Sequence, residues 1–335
     1  MADFAIRRFG REVFERLVQP LVGGVYTADP YRLSMAATLE RFARMEREQG
    51  GLIRAVLTSP RVEGRSRATE GSGARYGLFV TPRLGMASWI EAVRSRLPPD
   101  SVHVGHRVRR LSRDARGDWT LTIADPHGNE RLSAVDGVVV ALPAPEAATL
   151  LNETDAELAS AIRSIPLASS VVLSIGARRD QIAHPLDGFG FVVPMKENRA
   201  ILAGSFSSVK FAGRAPVGHV LLRIFMGGAC RPDLMECDDD ALLRLALDEL
   251  RELIGFRGDP TLVRLTRWNG TMPQYHVGHL TLVDSIERLA SHWHGLALAG
   301  NAYRGVGIPF CIRSGESAAD RVASQVGVAE ASPRR

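Results

Sequence analysis

The 335-residue sequence lacks any apolar run long enough to cross a bilayer, although 45% of its residues are hydrophobic. Its first ten residues, MADFAIRRFG, also lack the apolar core of a secretory signal peptide. These two absences predict a cytoplasmic protein with no transmembrane segment, and they are compatible with peripheral contact at a membrane. The length and an ordinary charged content of 24% are typical of a globular chain of one or two domains.

Cysteine is also scarce. The chain has three cysteines and no Cys-x-x-Cys pair, and an odd number in a chain without a secretion signal argues against a disulfide framework. Two close histidine pairs occur, His276 with His279 and His292 with His294. Neither pair has a cysteine or carboxylate beside it at the spacing of zinc ligands, so we predict no metal site.

Lysine is nearly absent. Lys196 and Lys210 are the only lysines, so arginine supplies the other 40 of the 42 basic residues, and the net charge is +5. The codon usage of a GC-rich genome is the ordinary explanation of such a bias. The arginines are dispersed rather than gathered in a basic arm, and no aromatic RNA-binding motif accompanies them. Nucleic acid is therefore excluded as a predicted partner.

What the sequence does contain is a mixture of helical and strand patterns. Residues 1–58 read as helical, with one apolar face and with Ser34 as an N-cap. Residues 59–77 are polar, Arg- and Gly-rich, and predict a mobile loop before a helix at 85–97. The apolar residues of the first stretch fall on one helical face, and they are Phe9, Val13, Phe14, Leu17, Val18 and Leu21. Those of the 85–97 helix are expected to point inward, and they are Trp89, Ile90, Val93 and Leu97.

Strand patterns dominate the middle of the chain. They fall at 102–108, 119–123, 138–141, 169–175, 189–193, 199–205, 218–226 and 261–268. Asp238 and Gly255 delimit a strong amphipathic helix. Because strands and helices do not alternate strictly, the predicted class is α/β of the mixed α+β kind.

Two segments carry the candidate chemistry. Residues 267–279, RWNGTMPQYHVGH, place Trp268, Gln274, Tyr275 and His276 together, which suits the wall of a flat, polar-edged ligand. The alternative interpretation makes Trp268 a core anchor and His279 a helix cap. Residues 296–309, LALAGNAYRGVGIP, form a strand and a glycine-rich turn before a helix expected from about Ser314, where a flat or anionic cofactor can approach.

These strings resemble protoporphyrinogen oxidase and the wider flavin amine oxidase superfamily. The resemblance is most specific in Trp268 with Met272-Pro-Gln-Tyr275 and Gly278-His279, and it extends to residues 9–35 and 204–216 in family order. It therefore covers nearly the whole chain. The family oxidises a porphyrinogen in heme biosynthesis by successive two-electron steps: hydride leaves a bridging carbon for FAD, a pyrrole proton is lost, and oxygen reoxidises the flavin.

The resemblance also implies roles for individual residues. The residues that it places against FAD are Val108, Trp268, Gly300, Val306, Gly307 and Ile308. Phe211 and Val192 fall where the family lines its porphyrinogen pocket. The resemblance names no catalytic base, and Asn301, Gln274 and His276 are candidates by proximity only. Arginine suits the propionates of the substrate, but the sequence does not single one out.

The implied domains follow the family order. Residues 1–58 belong to the helical substrate and membrane-side domain, and 151–280 form the antiparallel substrate-binding sheet. Residues 78–150 and 281–328 supply segments of an incomplete Rossmann-like FAD domain.

The chain departs from the family because it contains no strand–Gly-x-Gly-x-x-Gly–helix unit, which in the family is N-terminal. The most similar string is Gly71-Ser-Gly-Ala-Arg-Tyr-Gly77, whose third glycine lies one position further along the chain than the motif requires. We therefore expect weak FAD binding by the chain alone and a FAD-binding portion supplied by a separate chain or by upstream sequence. The alternatives are a truncated or decayed homologue without activity, and a flavin enzyme acting on an amine or a polyene. Protoporphyrinogen and coproporphyrinogen are both open as substrates.

Overall fold

The computed structural model describes residues 1–58, 80–114 and 117–327. The polar segment at 59–77, with its Gly71–Gly77 string, lies outside the described residues. The fold is mixed α/β with antiparallel sheets, as predicted. The chain divides into two compact units, one formed by Met1–Leu97 and Ala168–Met272 and the other by Pro98–Leu167 and Pro273–Arg335.

Helices dominate both ends of the chain. Their bounds are α1 Ala2–Phe9, α2 Arg11–Val13, α3 Gln19–Tyr26, α4 Met35–Thr38, α5 Glu40–Gln49, α6 Leu52–Thr58, α7 Met86–Arg94, α8 Ala144–Leu151, α9 Ala156–Arg163, α10 Ser207–Lys210, α11 Asp239–Ile254, α12 His279–Ser291 and α13 Ile308–Gln325. A π-helical turn, Phe14–Val18, joins α2 to α3.

In the described residues the strands form three sheets. Their bounds are β1 Arg107–Arg113, β2 Trp119–Ala124, β3 Glu130–Val135, β4 Val138–Val140, β5 Leu167–Arg178, β6 Gly190–Val192, β7 Ile201–Phe206, β8 His219–Gly227, β9 Leu262–Pro273 and β10 Leu296–Leu298. The first unit holds the five-stranded sheet β6-β7-β8-β5-β9, and the second holds β1-β2-β3 and the parallel pair β10-β4.

The first unit packs α11 on its large sheet. Leu242, Ala246, Leu250 and Ile254 of this helix join buried strand residues in one apolar cluster. Asp238 accepts a hydrogen bond from the Ala241 amide at 2.7 Å, and Gly255 ends the helix in the left-handed region. Both predicted ends of this helix are confirmed, because the capping chemistry is local.

The second unit encloses a core around Trp119. This side chain is fully buried, and its indole N–H donates to the His294 carbonyl at 3.0 Å. Helices α8, α9 and α12 cover the cluster with alanine, leucine and isoleucine side chains. The hairpin between β2 and β3 turns at Asp125–Asn129, where the Asp125 carboxylate accepts from two backbone amides, so that predicted turn is confirmed.

The single apolar face predicted for the first stretch is divided in the structure, and the inward face predicted for the 85–97 helix is wrong. Phe14 is fully buried, but Phe9, Val13, Leu17 and Leu21 are exposed. These four are spaced four residues apart, whereas Phe14 packs in a separate buried cluster with Ala2 and Ala5 of α1. Trp89, Ile90 and Val93 of α7 are exposed, and so is Leu97 beyond its end. Within the described part of the chain, no element covers either face.

Several predicted boundaries also shift. Helix α3 passes through Gly23-Gly24 and ends at Thr27, which takes the left-handed conformation. Strand β1 begins at Arg107 rather than at residue 102. Residues 267–273 are part of β9 rather than of a loop. Helix α13 starts at Ile308 rather than Ser314, because Pro309 fits the first turn, where a missing N–H costs nothing.

Candidate functional site

The turn from β10 to α13 is held by Tyr275, which lies before α12. Its hydroxyl donates to the Asn301 carbonyl at 2.7 Å and accepts from the Gly305 amide at 2.7 Å. The side chain is only 2% exposed. One phenol therefore fixes both ends of the turn that carries Gly300, Val306 and Gly307.

His279 packs against the Tyr275 side chain. Its ring stacks on the Tyr275 ring, and its Nε2 lies 2.8 Å from the Tyr303 carbonyl oxygen. A carbonyl only accepts, so Nε2 carries a proton and donates it to this hydrogen bond. Burial lowers the pKa of His279, which keeps the neutral form, and the nearby Arg304 charge acts in the same direction.

Helix α13 begins at the end of this turn without a side-chain cap. Gly307 is its N-cap, and Pro309 lies in its first turn. Gly305 has a positive φ of 137°, and a Cβ there would lie 2.5 Å from the Phe310 ring, so only glycine fits. The Gly300 amide donates to Ser314 Oγ at 3.1 Å. The Phe310 and Cys311 amides of the first turn already donate to the Gly307 carbonyl, so the positive end of the helix dipole, rather than a row of free amides, favours negative charge here.

A second feature of this unit is the valine cleft, defined by Val108, Val138, Val139, Val140 and Ala141 together with Leu142 and Pro145. It has a volume of about 970 Å³. Among the described residues β4 pairs only with β10, which leaves its other edge facing the cleft. Val108 lies 38% exposed beside a bulge in β1. An apolar cleft along a parallel strand suits the flat part of a nucleotide cofactor.

The first unit contains a separate phenylalanine cleft, defined by Phe189, Phe191, Val192, Phe211 and Phe225 with the cations Lys210, Arg214 and Arg223. Its volume is about 710 Å³. Gly204 shapes its floor, because a Cβ at that position would lie 2.5 Å from the Phe191 ring. Both residues of the predicted substrate pocket, Val192 and Phe211, line this one cleft.

Trp268 belongs to the first unit and lies on β9 with 49% of its surface exposed. The interpretation of this residue as a core anchor is therefore wrong. The other residues predicted to contact FAD lie in the second unit: Val108 on β1, Gly300, Val306 and Gly307 in the turn, and Ile308 at the start of α13.

Three polar candidates lie close to the turn. The Gln274 side chain is almost fully buried. The backbone N–H of Gln274 donates to the Pro166 carbonyl at 2.9 Å. His276, two residues further on, is partly buried. The backbone carbonyl of Asn301 accepts a hydrogen bond from the Tyr275 hydroxyl. The expectation that Tyr275 offers a flat face to a ligand is wrong, since that face is stacked on His279.

The phenylalanine cleft and the Tyr275–His279 stack were not predicted as units. Strand β8 alternates Leu221, Arg223 and Phe225 with buried residues, and this pattern marks their shared face in the sequence. The stack had a weaker signal, an i, i+4 aromatic pair at a helix start.

Comparison with known proteins gives consistent results. A family model described as flavin containing amine oxidoreductase matches residues 1–323. The coproporphyrinogen III oxidase of Bacillus subtilis (strain 168) is 30% identical over 95% of this chain and 66% of its own length. That of Propionibacterium freudenreichii subsp. freudenreichii is 33% identical over 95% of this chain and 63% of its own.

A crystal structure from Exiguobacterium sp. 255-15, designated a putative protoporphyrinogen oxidase, matches with a TM-score of 0.77 and 25% identity over 94% of this chain and 65% of that one. The chain spans about two thirds of the length of these relatives. No helix in the described parts of the chain is both long and apolar enough for a membrane span.

Proposed function

Since the chain belongs to the flavin-containing amine oxidoreductase family, we propose that it takes part in the FAD-dependent oxidation of a porphyrinogen to the porphyrin in heme biosynthesis, with oxygen as acceptor. The observation that carries the proposal is the phenylalanine cleft, whose aromatic walls and three cations suit a large apolar macrocycle bearing carboxylates. The coproporphyrinogen III oxidase relatives support the same substrate class.

The residues of the second unit fit a flavin. The valine cleft provides an apolar surface beside a parallel strand for the adenine side, with Val108 on its wall. The turn at 300–307 brings backbone amides without bulky side chains to the N-terminus of α13, where they would meet the polar edge of the isoalloxazine ring. Trp268, half exposed on β9 of the first unit, stays a predicted flavin contact.

When bound, FAD supplies a two-electron acceptor that takes hydride from a bridging carbon of the macrocycle and passes the electrons to oxygen. The chain's own residues bind and orient. Val192 and Phe211 hold the macrocycle by apolar contact, and the phenylalanine cleft excludes water from its faces. The Tyr275 hydroxyl keeps the turn fixed, so that its amides are organised before the cofactor arrives.

The pyrophosphate of FAD needs a further element. The 335 residues contain no Gly-x-Gly-x-x-Gly unit, and we propose that a segment outside them, on a separate chain or upstream, holds it. The open edge of β4 in the valine cleft supports this, because a parallel strand is normally paired on both sides. Peripheral contact with a membrane through the exposed Phe9–Leu21 stripe also stays a proposal.

The test is an absorbance spectrum of the purified chain with and without added FAD, followed by an assay of porphyrin fluorescence with coproporphyrinogen III in air, corrected for autoxidation. A bound flavin band and porphyrin formation would support the proposal. A chain that binds FAD but oxidises an amine and no porphyrinogen would show another substrate class. A folded chain that takes up neither would be measured again together with the proposed FAD-binding segment, and no binding of FAD or porphyrin by that pair would show a homologue without this activity.

A further inference from the structure

Arg223 lies at the centre of β8, opposite Ser205 of β7 and Ser174 of β5. Its side chain shares a strand face with Leu221 and Phe225, because residues two apart point the same way, and all three line the phenylalanine cleft. Its guanidinium carbon lies 5.4 Å from the centre of the Phe225 ring. The charge is thus presented over an aromatic wall.

The cleft offers this charge no carboxylate. None of its described lining residues is aspartate or glutamate. Within the described chain, the Arg223 guanidinium forms no ion pair and no hydrogen bond. Arg223 is exposed, so its guanidinium is accessible to an anionic partner that lies against the apolar wall.

The other two cations are already engaged. Arg214 donates to the Pro82 carbonyl at 2.9 Å and so ties the segment before α7 to the cleft wall. Lys210 lies over the rings of Phe211, at 5.3 Å, and Phe189, at 6.0 Å. Arg214 is therefore a positioning residue, and Lys210 completes the aromatic wall.

We propose that Arg223 binds a propionate carboxylate of the porphyrinogen, and this assignment rests on the proposed function. A guanidinium can hold both carboxylate oxygens through two parallel N–H groups, which fixes the macrocycle in rotation as well as in position. The Phe225 ring beside it covers the adjoining apolar edge. Arg223 is thus the anchor that orients the substrate in the phenylalanine cleft.

The experiment measures binding of coproporphyrin III, a stable tetracarboxylate, to the full chain by quenching of porphyrin fluorescence, with or without FAD. We expect Arg223→Gln to raise Kd about tenfold to a hundredfold, because a charge-assisted pair is lost. Arg223→Lys should recover part of the affinity. Arg244→Gln on the exposed face of α11 is the matched control and should leave Kd unchanged. The tetramethyl ester of coproporphyrin should bind wild type and Arg223→Gln alike.

The outcomes separate the two proposals. If the wild-type chain binds coproporphyrin and Arg223→Gln binds it equally well, with an unchanged melting temperature, the assignment of Arg223 is wrong and the proposed function stands. If the folded wild-type chain binds no porphyrin in any form, both fall together. If the ester also loses affinity in Arg223→Gln, the residue shapes the cleft and does not pair with a carboxylate, which again overturns the assignment.

Discussion

The rings of Tyr275 and His279 lie stacked, with centroids 3.8 Å apart and planes inclined by 15°. They lie four positions apart at the entry to α12, yet each bonds to the distant turn. Tyr275 bonds to Asn301 and Gly305, and His279 bonds to the Tyr303 carbonyl. The pair therefore transmits the position of α12 to the turn that carries the proposed flavin contacts.

We expect Tyr275→Phe to lower the free energy of unfolding by about 1–3 kcal/mol, because removing one hydroxyl leaves two buried backbone groups unsatisfied. FAD affinity should fall as well, since the turn at 300–307 loses its anchor. Denaturant unfolding and FAD fluorescence measure the two effects. Tyr31→Phe serves as the control, because Tyr31 is exposed and its hydroxyl bonds to no residue that the structure describes. Equal stability of both variants would contradict the role of the Tyr275 hydroxyl.

His279 predicts a pH dependence of stability. Burial lowers its pKa from the ordinary value of 6.5, so above that pH both the folded and the unfolded states hold a neutral ring. As the pH falls below 6.5, His279 binds a proton in the unfolded state but not in the folded state. The free energy of unfolding therefore declines until the pH reaches the pKa of the folded state. Urea midpoints measured between pH 8 and 5 should fall more steeply for wild type than for His279→Gln.

The matched comparison for this prediction is His127→Gln, which alters an exposed histidine in the β2–β3 turn. Its pH profile should follow that of wild type. Parallel profiles for wild type and His279→Gln would exclude His279 as the source of the acid sensitivity.

Two tryptophans should respond in opposite ways to alanine substitution. Trp268 is half exposed, so Trp268→Ala should change the free energy of unfolding by less than about 1 kcal/mol while weakening FAD binding severalfold through loss of an aromatic contact. Trp119→Ala should cost about 3–5 kcal/mol, since that side chain is fully buried. A large loss of stability in Trp268→Ala with intact FAD binding would assign Trp268 a structural role only.

Gly204 allows us to test the floor of the phenylalanine cleft. In Gly204→Ala the added Cβ would meet the Phe191 ring at 2.5 Å, so this ring on the neighbouring strand β6 must move. We expect a loss of about 1–3 kcal/mol in stability and weaker coproporphyrin binding. Gly188→Ala is the control in the adjoining loop, where nothing lies within 4 Å of the new Cβ. Unchanged porphyrin affinity in Gly204→Ala would place the macrocycle elsewhere.

Features with short-range causes could be predicted. The α11 helix between Asp238 and Gly255 and the turn at Asp125–Asn129 follow from caps and turn residues a few positions apart. The strands of the large sheet were likewise visible as apolar runs. The family resemblance pointed to Val192 and Phe211 together, and the structure places both in one cleft, although their role stays a prediction.

The sequence by itself thus determined the mixed α/β class, the order of the elements and the family. Only the tertiary structure decided which faces are covered: it exposes Trp268 and the Phe9–Leu21 stripe, and it buries Tyr275 against His279. Only it singled out Arg223 among 40 arginines. The physical reason is the same in each case. Burial and charge pairing depend on groups far away in the chain, and no local pattern records which of them the fold brings near.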